Sequence, residues 1–495
     1  MTRYVLGLDI GTTSVKSVLI NADTGVCVKS VSKDTLATTN SPAKSIGGSE
    51  QDPERILSAV QLCIGRLSRD LLKDVVRIGI SGQMHGVVLW NHEGLSSYND
   101  HYDRYEISPG SGDEESGGHH HLNPAPSSDD SANGSTVISN VFTWQDNRCN
   151  PEFLSTLPKP KSHLRVSTGY GCATLFWLLR NNPPEYLDQF DCAGSVMDLI
   201  ICIICGLSRP IMSYQVAASW GYFDPETASW NLDLLKSAGF PVHLLPKVAK
   251  PDEIAGYLSQ PWYSIPSGTP VGPALGDMQC SVLSTITSRY DEAVMNISTS
   301  AQLSYVMPPN FQPQENSSDN LEYFPFFNGQ YLAVAASLNG GNILMHFVKF
   351  LQDVTVELGV SVPQEKIWDR ILTLGLESQP MSLTVTPTVH GERHNPDLKG
   401  SLLYICDTDI NLPCVVRAIC RGIITNLRNF LPPKRLREHG IMSIQGTGSA
   451  LIRNQVLQEE IKQQFGMDLV VNNSADSAMG AAQAVLQAKW GDIST

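Results

Sequence analysis

The sequence has no excess of positive charge and no long apolar run, and each absence narrows what it can do. Its 35 Lys and Arg against 49 Asp and Glu leave a net charge of −14, whereas a surface for nucleic acid or an anionic membrane needs a basic footprint. The longest apolar candidate, LIICIICGL at 199–207, falls well short of the roughly 18 residues of a membrane span. A basic region followed by an apolar stretch and a small-residue cleavage site is also missing from the N-terminus, because Asp9 breaks the one candidate. These absences predict a soluble, cytoplasmic protein whose partners are small molecules, with neither nucleic acid nor membrane among them. There is no second CxxC either. Cys202 and Cys205 sit alone in the apolar run, which reads as a buried helix rather than a metal or redox site. The 11 cysteines, an odd number mostly within apolar segments such as those of Cys27, Cys63 and Cys420, suit reduced thiols in a cytosolic core.

What is present starts with YVLGLDIGTTSVKSVLI. Val5, Leu6, Leu8 and Ile10, then Val15, Val18, Leu19 and Ile20, read as two paired strands joined by a tight turn. Gly11 lets the backbone approach an anion, Thr12 and Thr13 add hydroxyl and amide donors, and Asp9 can hold a cation that bridges phosphates. The bland alternative is an ordinary hairpin. A carboxylate midway through an apolar run is harder to explain that way, and the segment is read as a phosphate clip. At 495 residues and 42% hydrophobic, the chain suits two or three domains.

Helical periodicity from about Pro53 is followed by a strand, VVRIGIS, that delivers SGQMHG. From about 96 to 139 the text becomes Gly, Ser, Asp and Asn with three consecutive histidines, a solvated insertion expected to be disordered. His119, His120 and His121 lack fixed geometry there and are assigned no function. Order resumes at VISNVFTWQDNR, and 262–271, with Pro266, Gly268 and Pro270, reads as a connection into a second domain. VMNISTSAQLSYVM then repeats strand, turn, strand, with Ser298, Thr299 and Ser300 where the first copy has Gly11, Thr12 and Thr13. SIQGTGSALIRNQVLQEEIKQQF adds a strand, a Gly-containing turn at 446–449 and an amphipathic helix. Taken alone, GTGS is just a turn. With two phosphate clips beside it, its small residues suit a flat base or an anion at a helix start.

Asp277, after Gly276 and before helical text, reads locally as an N-cap. Its second reading is a carboxylate that accepts a substrate hydroxyl proton, where an ordinary low pKa is acceptable because the transition state is loose. Gln83, Met84 and His85 offer polar edges and an apolar face to a sugar, and Trp144, Asp146 and Arg148 add an aromatic platform and two charged groups. Each has a local explanation; their joint occurrence carries the reading.

LDIGTTSVK, SGQMHG, TWQDNR, LGDMQ, NISTSAQL and GERHNPD, in that order, resemble the FGGY carbohydrate kinases over nearly the whole chain outside 96–139. The resemblance implies an α/β fold of duplicated actin-like (ribonuclease H-like) ATPase domains with an interdomain cleft. The expected division is 1–268 for an N-terminal sugar-binding domain and 269–495 for a C-terminal nucleotide-binding domain. SGQMHG is similar to the corresponding motif of the xylulose kinases, and the resemblance implies a ketose rather than glycerol. GYGCATLFWLL, AASWGYF, PVHLLP, AASLNGGN, TPTVHGERH and CRGI resemble the branch acting on sedoheptulose, which transfers the ATP γ-phosphate to the terminal hydroxyl for the pentose phosphate pathway.

Residue by residue, the resemblance implies Asp9 for magnesium, Gly11, Thr12, Thr13 and Thr299 for phosphates, and Asp277 as the base. Gln83, Met84, His85, Trp144, Asp146 and Arg148 would line the sugar side, and Gly340, Gly341, Gly446, Gly448 and Ser449 the nucleotide side. Two departures from the pattern involve three positions: Thr447 separates Gly446 and Gly448 where consecutive glycines are usual, and Ser298 and Ser300 stand where glycine is usual. The rival readings are a xylulose or other ketose or polyol kinase, an actin-fold phosphohydrolase, and a silent sugar or nucleotide sensor. SGQMHG and TWQDNR argue against hydrolysis, and Asp9, Thr12 and Asp277 together argue against silence.

Overall fold

The computed structural model describes residues 2–95, 138–287, 291–314, 321–378, 382–393, 395, 397–472 and 476–490. The three-histidine tract and the expected insertion, up to residue 137, lie outside these. Ile138 and Ser139 are already fixed: Ile138 bridges to Trp90, and Ser139 Oγ accepts the Leu89 N–H at 2.9 Å. Two compact units account for the chain, Met1–Asp277 with Ala481–Thr495, and Met278–Gly480.

The first unit is organised by β1 (Tyr4–Ile10), which is apolar on both faces because it runs through the middle of a sheet. It pairs antiparallel with β2 (Ser14–Asn21), which pairs antiparallel with the more exposed edge strand β3 (Cys27–Asp34). On its other side β1 pairs parallel with β4 (Val75–Gly82). Two short strands, β5 (Pro270–Val271) and β6 (Leu275–Gly276), run parallel to β4. Part of the segment read as an interdomain connection is therefore sheet of the first unit, recruited by pairing rather than by composition.

The second unit repeats this plan. Here β7 (Glu292–Ile297) pairs antiparallel with β8 (Ala301–Val306), and β8 antiparallel with β9 (Tyr331–Ser337). On the other side β7 pairs parallel with β10 (Ser443–Thr447), and β10 parallel with β11 (Asp468–Val471). The order β5-β4-β1-β2-β3 and the order β11-β10-β7-β8-β9 match in sequence and direction, the signature of a duplicated fold. Leu303, Ile423, Ile444 and Ile461 are fully buried in this unit's core.

The last helix among the described residues, Ser477–Gln487, returns residues 481 onward to the first unit. Gly79 makes the approach possible, since a Cβ there would lie 2.2 Å from the Ala481 carbonyl oxygen. Arg77, buried in β4, donates Nη1 to the carbonyls of Val485 and Ala488 at 2.8 Å, placing a cation on the negative end of that helix; its guanidinium also sits 5.3 Å over the Trp490 ring.

The CxxC lies in Val196–Cys205, a helix buried almost all round, with Cys202 and Cys205 both buried free thiols. Cys27 departs from expectation: on the edge strand β3 it is exposed. Among the described residues no helix is long and apolar enough to cross a membrane, and no three His, Cys, Asp or Glu side chains gather as a metal cage.

Candidate active site

In the first unit β1 ends at a turn closed by the Gly11 N–H donating to the Ser14 carbonyl at 3.0 Å. A Cβ on Gly11 would meet that same oxygen at 2.9 Å, so glycine is required by packing. Asp9, half-buried on β1, lies opposite Ser81 of β4, whose hydroxyl donates to Asp9 Oδ1 at 3.1 Å. The turn is pinned by its neighbours: Thr35 donates its N–H to the Thr13 carbonyl at 2.9 Å and its hydroxyl to the Thr12 carbonyl at 3.2 Å.

Thr12 is also the meeting point with the residues read as sugar contacts. Trp144 donates its indole N–H to Thr12 Oγ1 at 3.0 Å, and that hydroxyl donates to Gln83 Oε1 at 3.4 Å. Gln51 donates Nε2 to the Thr12 carbonyl at 2.6 Å and accepts from Gln83 Nε2 at 2.9 Å. Thr12, Gln51, Gln83 and Trp144 thus form one hydrogen-bonded cluster. Gln51 was not legible as a site residue, because nothing in its own segment points to Thr12.

Gln83 follows β4 directly and Met84 is buried beside it. His85 holds a positive φ of 75°, uncommon outside glycine, and is fixed at three points. Its N–H donates to Ser219 Oγ at 3.3 Å, its Nδ1 lies 2.9 Å from the Ser219 carbonyl, and its ring stacks on Tyr170 at 4.5 Å and 17°. A carbonyl only accepts, so that contact puts a proton on Nδ1. Tyr170 and Ser219 join the site through tertiary packing, although both fall in segments, GYGCATLFWLL and AASWGYF, that already stood out.

Asp146 and Arg148 turn inward. Arg148 donates Nε to both Asp146 carboxylate oxygens at 2.9 and 3.0 Å, and Nη2 reaches Glu50 at 2.6 Å and Asp146 at 2.8 Å. The guanidinium lies 5.0 Å over both Phe142 and Trp177. Asp146 also accepts the Ser49 N–H at 2.9 Å. Burial pushes the Glu50 carboxyl upward, but hydrogen bonds from Arg148 and Asn140 and the Arg148 charge outweigh it and hold it below the usual carboxylate range. These residues hold the 144–148 loop in shape.

Asp277, half-buried, is the last residue of the first unit and opens the helix Asp277–Thr285. It emerges from β6, whose Leu275 and Gly276 pair with Ser81 and Gly82 of β4. One strand end, at 81–82, therefore neighbours Asp9 on one side and the approach to Asp277 on the other.

In the second unit the turn at 298–300 closes with the Ser298 N–H donating to the Ser300 carbonyl at 3.0 Å. Asn296 stands where the first copy has Asp9, so only the first turn carries a charge. Gly340 and Gly341 lie on this turn: the Gly341 N–H donates to the Ser298 carbonyl at 2.8 Å and the Asn342 N–H to the Thr299 carbonyl at 3.0 Å. Gly448 closes the other side with φ 93°, and a Cβ on it would meet Asn296 Oδ1 and the Ile297 carbonyl at 2.4 Å. Thr299, Gly340, Gly341 and Gly448 are thus brought together, with Ser449 starting the next helix, Ser449–Arg453. Gly446 lies one step back, packed against Leu451 and Leu469, and Thr447 is buried in β10 opposite Asn296. Glu392, from the GERHNPD motif, was not assigned a role by sequence. Buried, it accepts from Ser337 Oγ at 2.6 Å, Leu338 N–H at 3.1 Å, Asn339 Nδ2 at 3.0 Å and Asn426 Nδ2 at 2.7 Å, fixing the bend that leads into Gly340.

The model for the N-terminal domain of the FGGY family of carbohydrate kinases matches residues 4–99 and 130–284. Sedoheptulokinases of Mus musculus and Homo sapiens are each 44% identical to the chain, over 97% of both proteins. Among solved structures, xylulose kinase from Rhodospirillum rubrum superposes with a TM-score of 0.76 at 18% identity, covering 97% of this chain and 89% of that one. Gluconate kinase from Lactobacillus acidophilus gives 0.73 at 21% identity, covering 99% and 89%. The duplicated sheet is therefore the two-domain actin-like fold of these kinases, and the chain belongs to the FGGY family of carbohydrate kinases.

Proposed function

We propose that the chain transfers the γ-phosphoryl group of ATP to the terminal hydroxyl of sedoheptulose, giving sedoheptulose 7-phosphate. The observation that carries this reading is the hydrogen-bonded cluster around Thr12, which makes a phosphate turn and a sugar-facing surface one rigid piece. A phosphohydrolase needs only the first. The identity to two sedoheptulokinases along nearly the full length supports the choice of ketose.

In this reading the Gly11, Thr12 and Thr13 backbone and Thr299 grip phosphates, and Gly340, Gly341, Gly448 and Ser449 serve the nucleotide, with Gly446 supporting them. Gln83, Met84, His85 and Trp144 face the sugar, while Asp146 and Arg148 hold the Trp144 loop. Asp277 orients the sugar hydroxyl and accepts its proton as the phosphoryl group leaves ADP; because bond breaking leads in such transfers, positioning matters more than basicity. Asp9 is a hard oxygen donor of the kind magnesium takes one or two of, keeping water and phosphate for the rest, and the ion would supply charge neutralisation on the phosphates.

The test is ADP release by the purified protein across sedoheptulose, xylulose, glycerol and a control without sugar. Polar groups set for the longer chain are left unpaired by a shorter one, at about tenfold to a hundredfold per buried group. Sedoheptulose should have the highest specificity constant and glycerol the lowest. A higher value for xylulose would overturn the substrate but leave a kinase, whereas equal ADP release without sugar would overturn both.

A further inference from the structure

One short helix ties the residue read as the base to the loop read as the sugar platform. It spans Tyr214–Ala218, with Ser213 as its N-cap and Ser219 as its C-cap. Ser213 donates its hydroxyl to the Ala274 carbonyl at 2.5 Å, and Met212 bridges in parallel to Ala274. Two residues further along the same strand, the Gly276 N–H donates to Gln215 Oε1 at 3.2 Å. The next residue is Asp277. At the other end of the helix, Ser219 holds His85 through its hydroxyl and its carbonyl at 3.3 and 2.9 Å. Gln215 and Ser219 are four apart, the spacing that puts two side chains on one helix face.

Gln215 is fully buried, and its carboxamide can face only one way. Turned over, its NH2 would oppose the Gly276 N–H, donor against donor. In the orientation that bonds, Nε2 is buried with no hydrogen-bond partner. A buried carboxamide that leaves a donor unsatisfied is a costly choice for a position where a nonpolar side chain of the same length would pack. What the glutamine supplies in return is a side-chain acceptor for the N–H of Gly276, the residue before Asp277.

We propose that Gln215 is a positioning residue for Asp277, and that the 213–219 segment is the spacer fixing the base relative to His85. The inference rests on Asp277 acting as the base. Losing the Gly276 bond frees the 275–276 peptide to tilt, which shifts the Gly276 Cα from which Asp277 extends and takes the carboxylate out of line with the sugar hydroxyl, without touching any group that binds sugar. The cost falls on turnover, where small misplacements are expensive.

Four variants of the full-length protein, Gln215→Met, Gln215→Glu, Ser219→Ala and Asp277→Asn, are compared for kcat and KM with sedoheptulose and for thermal stability. Gln215→Met should lower kcat about tenfold or more with sugar KM within about twofold. Gln215→Glu keeps an acceptor at the same reach and should recover kcat to within about threefold of the parent. Ser219→Ala should raise sugar KM with kcat largely kept. A merely structural helix would give the opposite pattern, a lower Tm with both kinetic constants unchanged or moved together in the Gln215→Met and Ser219→Ala proteins, and that would overturn the inference. If Gln215→Met does not fold, Gln215→Glu decides: a tenfold loss of kcat at unchanged KM refutes the acceptor role. Near-normal turnover by Asp277→Asn would overturn the base assignment and this inference with it, whereas an inactive Asp277→Asn beside a parent-like Gln215→Met would overturn the inference alone.

Discussion

Replacing Arg148 with methionine tests whether the inward-facing charges hold the loop or serve the substrate. The arginine side chain is 4% exposed, and its partners Glu50 and Asp146 are 8% and 1% exposed. Methionine keeps the stem over Phe142 and Trp177 but leaves two buried carboxylates facing each other without a cation. Breaking a buried pair by removing one partner costs about 3–5 kcal/mol, more than the loss of two cation–π contacts at roughly 0.5–2 kcal/mol each. The sign with pH follows. With Arg148 present, the Glu50 carboxyl is held low; without it, the burial that pushes that carboxyl upward is no longer outweighed, and its folded-state pKa rises above that of the unfolded chain. The penalty is then fully developed above that raised value and shrinks as the pH falls and the folded protein takes up a proton. Urea unfolding of the first unit, followed by tryptophan fluorescence, to which this unit contributes seven of the eight indoles, should show Arg148→Met destabilised by about 3–5 kcal/mol at pH 7.5 and by at least about 1 kcal/mol less at pH 5. The folded fraction should also bind sugar more weakly, because the 144–148 loop carries the indole that reaches Thr12. A loss under about 1 kcal/mol at pH 7.5, or one independent of pH, would refute the reasoning.

Three further outcomes are expected. Asp198 is fully buried, and burial, only partly offset by its Ser195 hydrogen bonds, pushes its carboxyl up to about 7. The folded state therefore keeps a proton that the unfolded state has lost, so stability should fall as pH rises between about 4 and 7. Asp198→Asn should flatten that slope and gain about 2–3 kcal/mol relative to the parent between pH 5 and 7, and parallel unfolding curves for the two proteins would contradict it. Asp9→Ala should weaken magnesium-ATP binding and turnover and leave sugar binding without nucleotide largely intact; calorimetry giving an unchanged magnesium-ATP affinity with normal activity would sink the assignment. Gly448→Ala forces a Cβ into the Asn296 and Ile297 oxygens at a positive φ and should cost the second unit about 2–3 kcal/mol together with nucleotide affinity, as measured by unfolding and by ADP titration.

The first hairpin was legible because its pattern is local: alternating apolar residues, a glycine and a carboxylate within a few positions. Its second copy could be read once the first was known. Gln51, Tyr170 and Ser219 were not assigned, because each reaches Thr12 or His85 from a distant segment and owes its role to packing. Asp146 and Arg148 were recognised as belonging together but not as buried, since a carboxylate and a guanidinium two residues apart look the same whether they face solvent or each other. The strand at Pro270–Val271 reads as a linker because proline and glycine dominate its surroundings, and its pairing with Ile78 on one side and with Gly256 and Tyr257 on the other shows it to be sheet. Gln215 carries no sequence signal, since a glutamine in helical text is unremarkable until a peptide N–H is found on its oxygen.

The return of the last helix to the first unit has a consequence for synthesis on the ribosome. When Asp277 has emerged, β4 is made, but Gly79 has no helix against it and Arg77 has no carbonyls to hold. Those arrive only after Met278–Gly480 has been translated, a wait on the order of 10–40 s at ~5–20 residues per second. Through that interval the nascent N-terminal segment carries an uncovered sheet face and an unneutralised cation within it, so it is a client for chaperones even where the finished protein is not. A stop codon shortly before Ala481 would make that interval permanent, so loss of the final residues should act on the half of the protein made first.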